Sequence, residues 1–363
     1  IAVAFSPNGT LLAAIGTNGV VRLYKQPHLM PEGMPLAKRA LACALQRGLI
    51  ALAELREANM CFTVAFSPDS TLLATGSTNG VVRLWNPATQ DPVGKPLTGH
   101  TREVTGMAFS PDGTLLATSS NGAVLLWNPA TQKPVGKPLT LTGHMGPVRS
   151  VAFSPDGTLL ATGGTDDAVQ LWNPATQEPV GKPLTAHTHE VTGMAFSPDG
   201  TLLATSSITS TTVRDGIYGV VQLWNPATQE PVGMPLTGHM GPVRSVAFSP
   251  DGTLLATGTN GAVLLWNPAN RNPVGKPLPL TGEVTGLAFS PDGTLLATGS
   301  TNGVVRLWNP ATQKPVGKPL PLTGNMGPVV RSVAFSPDGT LLATGGGIDG
   351  VVRLWLTPLL SIW

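Results

Sequence analysis

Apolar residues along this chain fall in short runs of five or six, separated by clusters of Ser, Pro, Asp, Asn and Gly that punctuate the backbone. One stretch shows the pattern. Residues 148–153 and 158–162 are rich in strand formers, and Ser154, Pro155, Asp156 and Gly157 between them suit a type I turn, because proline presets φ and glycine tolerates the exit. Residues 168–172 read as a third strand and 180–184 as a fourth. The fourth carries Gly181, Lys182 and Pro183; proline removes a ladder donor and lysine resists pairing with another chain, so this segment belongs at a sheet edge. The first three are apolar on both faces, as in sheets sandwiched between other sheets.

The same unit recurs. Ala-Phe-Ser-Pro-Asp/Asn places its Phe at 5, 66, 109, 153, 196, 248, 289 and 335, with spacings of 61, 43, 44, 43, 52, 41 and 46. Eight copies of a unit of about 43 residues are present, two intervals being lengthened by insertion. Gly-His before the first strand (Gly99-His100, Gly143-His144, Gly238-His239) and a Trp closing the third complete a motif that resembles WD40 repeats, over nearly the whole chain. The near-identity of the units is similar to that of highly self-similar bacterial members. The resemblance implies an all-β fold, a closed β-propeller of four-stranded blades. Departures are visible: Asn follows the Trp in seven copies where the family usually has Asp, Tyr24 replaces the first Trp, and Leu356 follows Trp355. The family's buried network carries over fully in one copy, as His144, Thr162, Asp166 and Trp172. Asn79, Asn121, Asn260 and Asn302 stand at the aspartate position elsewhere.

Eight copies favour eight blades over the commoner seven, at about 1–37, 60–98, 101–140, 145–185, 188–237, 240–279, 282–321 and 326–363. A second regularity agrees: the first strand alternates between Glu-Val-Thr-Gly (Glu103, Glu190, Glu283) and Val-Arg-Ser (Arg149, Arg244, Arg331), a two-blade period that closes on an even ring. Because the chain starts directly in a first strand, the tail at 357–362 is expected to supply its own outer strand, the last and first blades meeting through apolar faces alone. The abrupt start at Ile1 points to a fragment of a longer polypeptide with a covalent neighbour domain.

Two insertions depart from the repeat. In 38–59, Leu41, Leu45, Leu49, Leu52 and Leu55 recur at three- and four-residue steps, which predicts an amphipathic helix, packed on the propeller or docking a partner. In 208–218, polar residues including Arg214, Asp215 and Tyr218 predict a projecting hairpin. The resemblance implies that both emerge on one face, together with the alternating charges. Those charges have two readings: a docking ring in which Arg149, Arg244 and Arg331 engage carboxylates of a bound segment, or a collar in which neighbours satisfy each other, for example Glu103 with Arg149 and Glu190 with Arg244. Asp69, Asp112, Asp156, Asp199, Asp251, Asp292 and Asp338 on the opposite face are explained by their turns better than by a metal site.

Composition narrows the classes further. Charged residues are 12% of the 363, with 22 basic against 20 acidic side chains, which disfavours nucleic acid binding by electrostatics alone. No apolar run approaches the roughly 20 residues of a membrane helix. Cys43 and Cys61 are too few for a disulfide scaffold and read as two buried thiols or one bridge. There is no phosphate-cradling loop, no His-Glu-x-x-His, no Cys-x-x-Cys and no Gly-x-Ser-x-Gly. Four of the six histidines occupy or approximate the structural position of the repeat, leaving His28 and His189 without an assignable nucleophile. The expectation is a non-catalytic scaffold without cofactor or metal, binding a protein or peptide. A glycan-binding propeller is the alternative, weakened by tryptophans expected to be buried.

Overall fold

The computed structural model describes residues 2–5, 11–15, 21–25, 53–56, 59–140, 146–185, 187, 189–208, 219–321, 329–346 and 350–357. Every regular element among them is a β-strand, and no helix is long and apolar enough to cross a membrane. The unit predicted from sequence is present: Val148–Phe153, Leu160–Gly164, Ala168–Asn173 and Glu178–Thr185 form one antiparallel four-stranded sheet in chain order. Its first turn closes by Gly157 N donating to Ser154 O at 2.9 Å, with Gly157 at φ +72°.

Second strands are buried along their whole length in Leu73–Ser77, Leu116–Ser120, Leu160–Gly164 and Leu296–Ser300. Their small residues let adjacent sheets approach closely. A Cβ placed on Gly299 would lie 2.4 Å from Val330 Cγ1 of the following sheet, so only glycine fits there. Between sheets sit repeated apolar clusters, for example Ala161, Val169, Leu171 and Leu184 against Val191, Met194, Leu203 and Trp224. Fully burying each such leucine or valine contributes about 1.5–3 kcal/mol, and the seven repeated clusters hold the sheets face to face.

First strands contact one another in sequence: Cys61–Phe66 touches Gly106–Phe109, followed by Val148–Phe153, Val191–Phe196, Ser245–Phe248, the latter part of Leu278–Phe289 and Val330–Phe335, which returns to Cys61–Phe66. Val64 N donates to Ser332 Oγ at 3.2 Å and Asp338 N to Ser70 Oγ at 3.1 Å across that last contact. The arrangement is propeller-like, and the cycle traced by these contacts among the described residues has seven members, so it gives no support to the expected eighth. The first repeat, Ala2–Phe5, Leu11–Ile15 and Val21–Lys25, forms a three-stranded sheet of its own.

Ring closure also departs from expectation. Ala53–Arg56, placed by its leucine spacing in a helix, is a strand paired antiparallel with Val351–Leu356, Val351 opposite Arg56 and Leu354 opposite Ala53. The position expected for the tail, beside Val351–Leu356, is thus held by Ala53–Arg56; Thr357 donates from N to Thr340 O at 2.9 Å, and residues 358–363 lie outside the described residues. Two demands outweigh helical spacing. The edge of Val351–Leu356 needs a ladder partner, and Leu55, 2% exposed, fills the apolar slot made by Cys61, Trp85, Val352 and Leu354. The remainder of the predicted helix, including Cys43, lies outside the described residues.

A further tie links outer strands. In the Asn-Pro-Ala-Thr-Gln turn, Gln177 (φ +62°) donates from Nε2 to Val135 O at 2.8 Å and accepts from Lys137 N at 3.0 Å, both in the preceding sheet. Gln132, Gln229 and Gln313 repeat this two-bond clip on Val93 and Lys95, Val180 and Lys182, and Val274 and Lys276.

Candidate functional site

The chain of first strands brings one position of each of the seven repeats in the cycle to a common centre. Cys61, Val104, Val148, Val191, Val243, Val284 and Val330 are fully buried between sheets. Side chains alternate along a strand, so the residue after each points the other way. These residues are Phe62, Thr105, Arg149, Thr192, Arg244, Thr285 and Arg331, and with Glu190 they line one cavity of about 210 Å³. Three of them are bonded around the ring: Thr192 Oγ1 donates to Val243 O at 2.6 Å, and Thr105 and Thr285 donate likewise to Val148 O and Val330 O.

The predicted charges meet here, in a different pairing from the one expected. Arg149 Nε donates to Glu190 Oε1, and Arg244 Nε to Glu283 Oε1 at 2.5 Å. Each arginine thus takes the glutamate of the sheet that follows, where Glu103–Arg149 and Glu190–Arg244 pairs were expected.

Arg331 breaks the pattern. The sheet that follows it carries Met60 where Glu190 and Glu283 stand in their repeats. Its guanidinium instead lies over the Phe62 ring, Cζ 4.2 Å from the centroid, and its Nε is buried without a hydrogen-bond partner. Burial lowers its pKa, the Arg244 charge adds to that, and Glu103 opposes. Glu103, for its part, makes no ion pair among the described residues.

The buried polar network is structural. In all seven cyclic sheets the repeat tryptophan donates from Nε1 to a threonine of the second strand at 2.9–3.2 Å, including Trp172 to Thr162. His100, His187 and His239 add a ring nitrogen to the same hydroxyls of Thr118, Thr205 and Thr257 at 2.8, 2.6 and 3.0 Å. Burial pushes all three histidines down to about 4, keeping them neutral. Asp166 sits in the turn at 165–167, whereas His144 lies outside the described residues. The seven repeat tryptophans among the described residues, 2–6% exposed, present no ring to a sugar, and the glycan reading gains no support.

The seven turn aspartates are held as turns require. Ser154 Oγ donates to Asp156 Oδ1 at 2.5 Å, and Thr158 donates from both N and Oγ1 to the same carboxylate. No cluster able to hold a metal ion occurs among the described residues. Arg214, Asp215 and Tyr218 fall outside them; the flanking strands Leu203–Ile208 and Gly219–Asn225 pair up to Ile208 opposite Gly219, so the insertion does lie between second and third strands.

Sequence reasoning missed Phe62, the three channel threonines and the glutamine clips. The signals were available: Phe62 stands four residues before Phe66, at the offset that separates Arg149 from Phe153, and a Gln precedes x-Pro-Val-Gly in every clip.

Comparison with known proteins agrees with this architecture. Short stretches are 43% identical to pre-mRNA-processing factor 19 of Oryza sativa subsp. japonica (58 residues, 16% of this chain and 11% of that protein) and to pre-mRNA-processing factor 19 homolog 2 of Arabidopsis thaliana (63 residues, 17% and 12%). A third, 43% identical over 79 residues, is in human apoptotic protease-activating factor 1, covering 20% of this chain and 6% of that one. The chain thus matches about a tenth or less of each relative's length, and these relatives, plant and human, lend no support to a bacterial type. The WD domain, G-beta repeat matches residues 1–25, 54–86, 91–128, 136–173, 177–216, 230–267, 276–309 and 315–355, and by that coverage the chain belongs to the WD40-repeat β-propeller family.

Proposed function

We propose that the chain is a non-catalytic scaffold, a disc of seven blades closed by residues 53–56, that binds a protein or peptide segment at the channel mouth. The observation that carries this reading is the convergence of Arg149, Arg244 and Arg331 on one cavity. Arg149 and Arg331 belong to the strands Val148–Phe153 and Val330–Phe335, and Arg244, just before Ser245–Phe248, is held by its N donating to Gly258 O at 3.2 Å, so the ring is presented at little ordering cost. Glu103, Glu190 and Glu283 belong to the same surface in this reading. The relatives are named for pre-mRNA processing and apoptotic protease activation, and this chain matches only a small part of each, so neither role is carried over.

Selection of random peptides on the immobilised full chain tests the reading. Enriched peptides should bind the R149E/R244E variant at least ten-fold more weakly, with its thermal unfolding retained. Undiminished binding to that variant would move the site away from the mouth.

A further inference from the structure

We propose that the seam of the charge ring, where Arg331 meets Phe62, is a binding site for a single carboxylate on a protein or peptide segment entering the channel mouth. The proposal rests on the scaffold reading and assigns it a ligand chemistry. The ring repeats one device twice, an arginine neutralised by the glutamate of the following sheet. At the third arginine the device lacks its acid, because Met60 occupies the glutamate's place. Phe62 offers the Arg331 guanidinium a π face but no acceptor, and the Nε remains without a hydrogen bond. A carboxylate reaching the outer nitrogens from the cavity would do for Arg331 what Glu190 and Glu283 do for its counterparts, with the planar geometry that guanidinium favours.

Charge and donor count select a carboxylate over a phosphate. Arg149 and Arg244 are already paired, so Arg331 is the arginine of the mouth with no ion pair among the described residues, and Glu190 and Glu283 beside it would repel a dianion more than a single carboxylate. Thr105, Thr192 and Thr285 spend their hydroxyl protons on neighbouring carbonyls and turn lone pairs to the cavity. A polyoxygen anion would find no hydroxyl donors there. Arg331 also lines the wider mouth together with Thr63, Ser332 and Arg244, so the seam is reachable from the channel.

The test uses the full chain and two end-blocked pentapeptides, Gly-Gly-Glu-Gly-Gly and its Gln counterpart, titrated by calorimetry or ligand-observed NMR. The wild type should bind the Glu peptide at least ten-fold more tightly than the Gln peptide, and both M60E, which installs an internal carboxylate, and R331Q should erase that preference. Equal affinity of the wild type for the two peptides, or a preference surviving in both variants, overturns the proposal. Selected peptides that depend on Arg149 and Arg244 yet carry no acidic residue would end this inference and leave the scaffold reading standing.

Discussion

Arg244 Nε donates to Glu283 Oε1 at 2.5 Å across the boundary between two sheets, and the equivalent reach from Arg331 ends at Met60. The difference is one of parity. A two-repeat alternation cannot close on a ring of seven, so one repeat must fall outside it, and that is the repeat of Met60 and Phe62. Glu283→Gln and Glu190→Gln should therefore each cost about 0.5–1 kcal/mol, the range for partly exposed pairs. Glu103→Gln, which breaks no ion pair, should be neutral. Urea melts of the three variants compare them directly, and equal losses at all three positions would refute the pairing scheme.

Closure of the ring depends on a strand that precedes the cycle in sequence. Leu55 is 2% exposed and packs on Cys61, Trp85 and Val352. Leu55→Ala should destabilise by about 2–5 kcal/mol, as core leucine truncations do, whereas an amphipathic helix resting on the flank would lose far less. Leu55→Asp should prevent cooperative unfolding altogether, read by circular dichroism.

The glutamine clip makes a separate prediction. Gln177→Ala removes two hydrogen bonds to the preceding sheet and should cost about 1–3 kcal/mol, at about 1 kcal/mol per bond with some desolvated backbone left over. Gly136→Ala attacks the same clip from the other side: at φ +67° its Cβ would lie 2.0 Å from Gln177 Oε1. The double variant should lose less than the sum of the singles, since both remove one contact.

Much of this was legible in the sequence because a repeated unit repeats its physics. Ser-Pro-Asp-Gly gave the turns, Trp with Thr gave the buried pairs, and Arg149, Glu190, Arg244 and Arg331 line one cavity. Blade number was not legible, because copy number and ring size are different quantities. Eight copies are compatible with a cycle of seven once a segment outside the repeat supplies an edge strand. The departure of Cys61-Phe62-Thr63 from both forms of the alternation was the clue to an odd ring. The helix failed for a related reason: leucines spaced by three and four also include the single inward residue, Leu55, that a short edge strand requires.

Replacing Thr162 by Val keeps shape and removes the acceptor of Trp172 Nε1, 2.9 Å away. A buried indole N–H left unsatisfied costs about 1–3 kcal/mol. Thr162→Ser, which keeps the hydroxyl, should recover most of that loss. Equal melting temperatures for the Val variant and the wild type would mean that the pair contributes nothing.

Acid should unfold the protein in two stages. His100, His187 and His239 are held near 4 by burial, below the usual 6.5. With folded values depressed, the unfolded chain takes up protons first as pH falls, so stability complete above about 6.5 declines between there and about 4. Each histidine contributes a slope of up to about 1.4 kcal/mol per pH unit in that window. Below it the turn aspartates take over. Hydrogen bonds from Ser67, Ser110, Ser154, Ser197 and Ser249, and then from the following threonines, hold Asp69, Asp112, Asp156, Asp199 and Asp251 below the ordinary carboxylate range. At Asp292 and Asp338 burial pulls upward and the same bonds together outweigh it. Their contribution is present above about 4 and is lost as pH falls through the lowered values. Substituting His187 and His239 by Gln should flatten the stability profile between pH 6.5 and 4 and leave the steeper fall below 4 in place; a profile unchanged in the upper window would show that these histidines are not the groups taking up protons.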